Sequence, residues 1–293
     1  MPSPYTLFAV CTAIWGSTWL AITFQLGTVA PEVSVVYRFG LAAVLIAAGC
    51  LATGRSLVFD ARMHARLALW GAMYFGLNYV AVYYAERYVA SGLVAVVFSA
   101  TVFTSAVGMR VFFRAPLTAR MVVAATLGCA GIALLFLPEL AKMRTEGPAA
   151  LGIAFALASL LLATGGNLIA VRNQRDGLPL LPSTAWGMAW GTGFAALVAV
   201  ATGATWTFDA RPAYVLSLAY LAVFGSIVAF TAYLTLLKQV GAGPASYVGV
   251  STPVVAMLLS TVVEGYRWNG YAILGVVLAV AGNVLALRRT TRV

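Results

Sequence analysis

Long apolar stretches separated by short clusters of charge fill this chain. Charge-free runs occupy 1–31, 67–85, 88–109, 121–138, 147–171, 177–208, 212–237, 239–263 and 268–287. A further apolar segment, 33–53, is interrupted only by Arg38. A helix needs about 20 largely apolar residues to cross the hydrocarbon core of a bilayer. The pattern therefore predicts ten spanning helices, near 4–24, 33–53, 67–86, 90–110, 119–137, 149–171, 183–203, 212–237, 244–264 and 269–287. A transmembrane barrel would instead alternate apolar and polar positions over roughly ten-residue strands. The connections are short and leave no room for a soluble domain. The first run has no basic leader, so a span is expected there rather than a cleaved signal peptide. The Pro-Ser-Pro before Tyr5 reads as a helix start.

Composition sharpens this into an all-α integral membrane protein. Of 293 residues, 62% are hydrophobic and 9% charged, with a mean hydropathy of +0.95. A soluble domain carries about 25% charged residues, so this chain could not cover a water-facing surface. The net charge of +10 follows from the placement of Lys and Arg. With the N-terminus inside, the cytoplasmic side holds twelve of them and the opposite side five, with Arg38 within a span. That bias places both termini in the cytoplasm. It also accounts for the charge without nucleic acid. The three cysteines, Cys11, Cys50 and Cys129, lie in apolar stretches, and His64 is the single histidine. These residues offer no metal-ligand cluster, and no cofactor is expected.

The segment 88–136 slides onto 239–287 without a gap, at an offset of 151. Gly92 meets Gly243, Thr101 meets Thr252, Gly131 meets Gly282 and Leu134 meets Leu285. The chain then divides into a first five-helix repeat, 1–140, and a second, 147–290. Five spans are an odd number, so the second repeat enters the membrane from the opposite side. Two inverted five-helix repeats are an architecture of secondary transporters, with the binding site near the midplane at the repeat interface.

Three stretches resemble the ten-helix drug/metabolite transporter superfamily in its EamA-type branch. They are Ala13-Ile14-Trp15-Gly16-Ser17-Thr18 with Pro31 and Arg38, then Tyr88-Val89-Ala90-Ser91-Gly92-Leu93, and then Gly243-Pro244-Ala245 through Thr252-Pro253, Glu264 and Gly275 to Gly282. The first half departs from the pattern, with Val102 and Phe113 where the repeat calls for Pro and Glu. Within the superfamily the chain most resembles the YddG-type bacterial exporters. That resemblance implies export of neutral, mainly aromatic amino acids.

The residues themselves limit the chemistry. Every acidic residue falls in a loop or at a helix end. A proton relay normally needs an ionisable group within the span, and no GxxxxGK[ST] motif for an ATP motor occurs. Facilitated transport of a neutral or zwitterionic solute by alternating access fits best. A solute cavity is expected from Trp15, Ser17, Asn78, Tyr79, Tyr83, Phe98, Thr101, Ser159, Ala163, Gly166, Tyr247 and Ser251, which supply small, hydroxyl, amide and aromatic groups inside the helices. Each could equally serve helix packing. Gly165 and Pro253 are candidate helix kinks. Arg38, Glu86 and Glu264 are read as gating or structural charges. Arg38 either contacts a solute carboxylate or is structural, snorkelling or paired with Glu86 or Glu32; Glu264 reads as a cap or loop contact.

The expected partners are a small-molecule substrate (an amino acid or other metabolite) and the bilayer, with no nucleic acid. Helices 5 and 10 carry Gly128, Gly131, Gly275 and Gly282, which suit a dimer or internal packing, so the oligomeric state stays open. The nearest alternative is an exporter of other small metabolites or drug-like amines in the same fold, with or without proton coupling. An intramembrane enzyme is disfavoured, because HExxH and GxSxG are absent.

Overall fold

The structure, a computed structural model, describes residues 2–146, 149–240 and 247–287. Most of those residues are helical, with no strand among them. Helix α1 spans Pro4–Thr23 and α2 Pro31–Ala52. Pro31 sits in the first turn of α2, where its missing N–H is one the helix leaves unpaired anyway. Helix α3, Ala61–Gly71, starts six residues before the apolar run, since a charge-free window cannot see a polar first turn. Asp60 fixes that start by accepting a hydrogen bond from the Met63 N–H at 2.6 Å.

From α3 the helix runs on as a π-helical segment, Ala72–Gly76, and then as α4, Leu77–Glu86. Helices α5, Ser91–Ser99, and α6, Thr101–Phe113, are separated only by Ala100, whose ψ of −7° departs from helical values. Helix α7 covers Ala119–Glu146, α8 Ala149–Arg175 and α9 Leu180–Ala201. Helix α10, Pro212–Tyr220, leads into a second π-helical segment, Leu221–Val228, and then α11, Ala229–Val240. Helices α12, Tyr247–Val263, and α13, Gly270–Leu287, complete the described chain.

Among the described residues, six helical stretches are long and apolar enough to cross a membrane: Pro4–Thr23, Pro31–Ala52, Ser91–Phe113, Ala149–Arg175, Leu180–Ala201 and Pro212–Tyr233. Shorter apolar helices cover Ala119–Leu135, Val248–Val263 and Gly270–Leu285. Many large apolar side chains on these helices are exposed, among them Val44, Leu161, Leu197 and Leu216. This is the surface of a protein solvated by lipid. In lipid the helix satisfies its own backbone polar groups.

The chain forms two compact units. The first comprises Met1–Leu20, Ala85–Leu157 and Val228–Val293; the second comprises Ala21–Tyr84 and Ala158–Ile227. Each unit draws on both halves of the sequence, so a sequence repeat and a compact unit are different divisions of this chain.

In the first unit, α7 and α13 pack backbone to backbone. A Cβ on Gly131 would stand 2.5 Å from the Gly275 carbonyl oxygen and 2.6 Å from the Ala279 nitrogen. A Cβ on Gly282 would stand 2.6 Å from the Ala124 carbonyl oxygen and 2.9 Å from the Gly128 nitrogen. As the number falls from 131 to 124 on one helix, the partner's rises from 275 to 282, so the two helices run antiparallel. The glycines at helix centres are thus used for close packing within the chain, the role small residues have between membrane helices.

In the second unit, α9 lies against α2, α3 and the first π segment. A Cβ on Gly191 would meet the Gly71 carbonyl oxygen and the Gly76 nitrogen, each at 2.9 Å. On the same helix, Trp186 donates from Nε1 to the Leu57 carbonyl at 2.8 Å, and the His64 ring stands edge-on to it at 4.4 Å between centroids.

Candidate functional site

The candidate residues divide between the two units. In the first, Trp15 stands edge-on to Phe230 at 5.3 Å and tilted against Tyr233 at 5.1 Å. Gly16 brings α1 close to α12, where an added Cβ would stand 2.6 Å from the Val255 Cβ. The Ser17 hydroxyl donates to the carbonyls of Ala13, at 2.7 Å, and Ile14, at 3.0 Å. Phe98 packs edge-on to Trp19 at 5.1 Å. Thr101, the first residue of α6, is half-buried just after the break at Ala100. Ser251 is half-buried on α12, and Thr252 donates to the Val248 carbonyl at 2.8 Å one residue before Pro253. The side chain of Tyr247 lies outside the described residues, as do Gly243, Pro244 and Ala245.

Asn283 is buried in the first unit and donates from Nδ2 to Ser99 Oγ at 3.1 Å, beside the break. That polar contact between α13 and the end of α5 was not singled out from the sequence. Asn283 lies in an apolar run, and Ser99 resembles any other small helix residue there.

Glu264 is a cap, and the helix it caps is distant in sequence. Its carboxylate accepts from the Ser91 backbone N–H at 3.2 Å and from the Ser91 hydroxyl at 2.5 Å. Ser91 opens α5, so the negative charge sits where the helix dipole and the unpaired N–H groups favour it. Glu264→Ala removes both bonds. It is expected to cost about 1 kcal/mol, the usual worth of a helix cap. A lowered thermal midpoint in detergent, with Glu264→Gln falling between alanine and wild type, checks this. Glu86, at the end of α4, is 7% exposed although it closes a helix.

The second unit holds the denser polar and aromatic cluster. Arg38, on α2, is 1% exposed, so it does not snorkel to a surface. Its guanidinium carbon stands 4.6 Å from the Tyr79 ring centroid and 5.0 Å from that of Phe39. It makes no ion pair with Glu32, so that form of the structural reading is not met. Asn78 is also 1% exposed and donates to the Tyr74 carbonyl at 3.2 Å. Tyr83, fully buried one turn after Tyr79, donates to Gln25 Oε1 at 2.6 Å.

Ser159 and Ala163 are fully buried on α8. Gly166 lets α8 approach the first π segment, since its Cβ would stand 2.7 Å from the Tyr74 Cβ; Gly165 faces Met73 in the same way. Helix α8 runs uninterrupted through Gly165, and α12 continues through Pro253. The π-helical segments lie at 72–76 and 221–228, and the break between α5 and α6 lies at Ala100. Such π segments widen a helix by one residue per turn and are frequent at functional sites.

Glu32 and Gln25 were underrated from the sequence, because both lie near a helix end. Glu32 is nonetheless 2% exposed, and it accepts from the Tyr84 hydroxyl at 2.9 Å and the Thr202 hydroxyl at 2.8 Å. Its position in the first turn of α2 supplies favourable dipole charge.

Across the two units, then, the polar groups are hydroxyls, amides, one buried guanidinium and carboxylates held near helix ends. They sit among aromatic rings on helices suited to lipid. No group of acidic, histidine or cysteine residues able to hold a metal occurs among the described residues. Two separate stretches of the chain, 3–137 and 150–288, each match the model of the EamA-like transporter family. The chain belongs to the EamA-like transporter family. Such proteins are membrane transporters of small solutes rather than enzymes, and this EamA-like chain is accordingly a multi-pass membrane protein. One solved crystal structure, titled only as that of a protein, is 18% identical over 97% of this chain and 96% of that one, with a TM-score of 0.67. At that identity the likeness concerns the fold alone. No curated protein matches the sequence.

Proposed function

We propose that this EamA-like protein exports neutral, mainly aromatic amino acids across a bacterial inner membrane by alternating access, without obligatory ion coupling. A symmetry between the halves carries the mechanism. Adding the sequence offset of 151 to Ala124, Gly128 and Gly131 gives Gly275, Ala279 and Gly282. These are the residues of the α7–α13 contact, so each half of that contact maps onto the other. A two-fold axis relating two antiparallel helices is perpendicular to both. For spanning helices it lies in the membrane plane, as an inverted repeat requires.

The irregularities follow the same rule. The offset carries 72–76 into Leu221–Val228, and Ala100 onto Ser251, two residues from Pro253. This supports ten spanning helices as two inverted five-helix repeats, 1–140 and 147–290, with both termini cytoplasmic. The two compact units are the natural moving bodies.

The substrate class rests on the aromatic and neutral polar groups at the candidate positions and on a single buried guanidinium. The buried Glu32 and Glu86 favour a second reading, a proton-coupled exporter of other small metabolites or drug-like amines. Competition against labelled phenylalanine separates the two. Trp, Tyr and Met should displace it and Lys should not. Uptake into vesicles should persist when the pH gradient is collapsed. Displacement by amines in preference to amino acids, or transport that needs a proton gradient, would favour the second reading.

A further inference from the structure

We propose that Arg38 binds the carboxylate of the transported solute, with the Tyr79 ring beside it receiving the solute's apolar part; this rests on the amino-acid reading above. The case starts from what the Arg38 side chain lacks. A guanidinium carries five N–H donors and is never neutral in a protein. Arg38 is 1% exposed, and neither Nε nor Nη1 has a hydrogen-bond partner. The rings of Tyr79 and Phe39 stabilise its charge through their faces, but they cannot accept in-plane N–H bonds.

A purely structural buried arginine would be expected to hold a carboxylate, since an unpaired buried charge is strongly unfavourable. The buried carboxylate on the same helix, Glu32, is instead satisfied by the hydroxyls of Tyr84 and Thr202. What remains is a planar fork of donors inside a membrane protein, shaped for a planar two-oxygen anion.

Two neighbouring groups suit a zwitterion bearing a ring. Tyr79 is only half-buried, with its ring centroid 4.6 Å from the Arg38 guanidinium carbon. Asn78, next to Tyr79 in sequence, is 1% exposed and leaves its Oδ1 acceptor without a partner. A carboxylate, an ammonium and an aromatic side chain would each find an unmet counterpart on α2 and α4.

The test uses full-length protein in detergent and matched pairs of ligands that differ only in the carboxylate: phenylalanine with phenylalanine amide, and lactate with lactamide. Wild type should bind phenylalanine at least about tenfold more tightly than its amide, the scale of a charge-assisted bidentate contact. Arg38→Gln should erase that preference and leave the amide's affinity within about twofold, while Arg38→Lys, which keeps the charge but loses the fork, should fall between. A preference that survives Arg38→Gln would overturn the proposal, as would an equal loss of both ligands. Should Arg38→Gln not yield monodisperse protein, Arg38→Lys decides: an undiminished preference overturns the proposal.

The lactate pair separates this inference from the substrate reading. Wild type that ignores phenylalanine but prefers lactate over lactamide in an Arg38-dependent way would end the aromatic reading and keep the carboxylate site. No preference for either acid would end the site.

Discussion

Gly131→Leu and Gly282→Leu are each expected to abolish recovery of folded, monodisperse protein. Overpacking a well-packed core ordinarily costs about 1–3 kcal/mol, because side chains and backbone can shift to absorb it. Here the obstacle is backbone. A Cβ at 131 would stand 2.5 Å from the Gly275 carbonyl oxygen, and one at 282 would stand 2.6 Å from that of Ala124. Relief requires α7 and α13 to separate along their shared length. The repeat makes the two sites equivalent, so the two variants should fail to a similar degree. Gly193→Ala is the control. Nothing lies within 4 Å of a Cβ there, and the position is inside α9. Alanine is the better helix former by about 1 kcal/mol, so this variant should be neutral or more stable. Fluorescence-detected size exclusion and the thermal midpoint of all three variants check the comparison. Normal recovery of Gly131→Leu would show that α7 and α13 do not pack this closely.

Ser251→Trp is expected to lower transport by about tenfold or more while leaving the protein folded. Ser251 is half-buried on α12, one residue before Thr252, whose carbonyl oxygen lies 3.4 Å from the Cβ position of Gly16 on α1. Under the repeat offset it is the counterpart of Ala100, where the helix breaks between α5 and α6. An indole added at a small, partly accessible position occupies solute volume, and pockets of this kind bury most of a small ligand's surface. A membrane scaffold with no transport role would tolerate the change. Parallel measurements of vesicle uptake and thermal midpoint separate the two cases: lost uptake with an unchanged midpoint supports a solute path at α12, whereas unchanged uptake removes Ser251 from it.

Much of this architecture was legible from charge spacing alone, because crossing a membrane demands long uncharged helices and little else. The positions of α1, α2, α5 with α6, α8 and α9 follow the apolar runs closely. Helix α3 begins earlier than its run, since Asp60 caps a polar turn that hydropathy cannot register. The Gly pairs matched at an offset of 151 were visible as a pattern, but their use in backbone contact was not.

The π segments at Ala72–Gly76 and Leu221–Val228 have no sequence signature, since a helix widens according to what packs on it. The partners of Glu32 could not be read from its place at a helix end, because Tyr84 and Thr202, which donate to it, lie far away in sequence. Arg38 stood out as the single charge within a span, and only its packing revealed that the rings of Tyr79 and Phe39, rather than an acid, are its neighbours.

On the proposed mechanism, this EamA-like chain carries a neutral amino acid by exposing one site to each side of the membrane in turn. Counterflow in proteoliposomes tests it most directly. Vesicles are loaded with unlabelled phenylalanine, and a trace of labelled phenylalanine is added outside without a pH gradient. A carrier should draw label inward above its equilibrium level and then release it, and vesicles preloaded with lysine should show no such rise. Folded protein that gives no transient accumulation from any neutral amino-acid preload would contradict the claim.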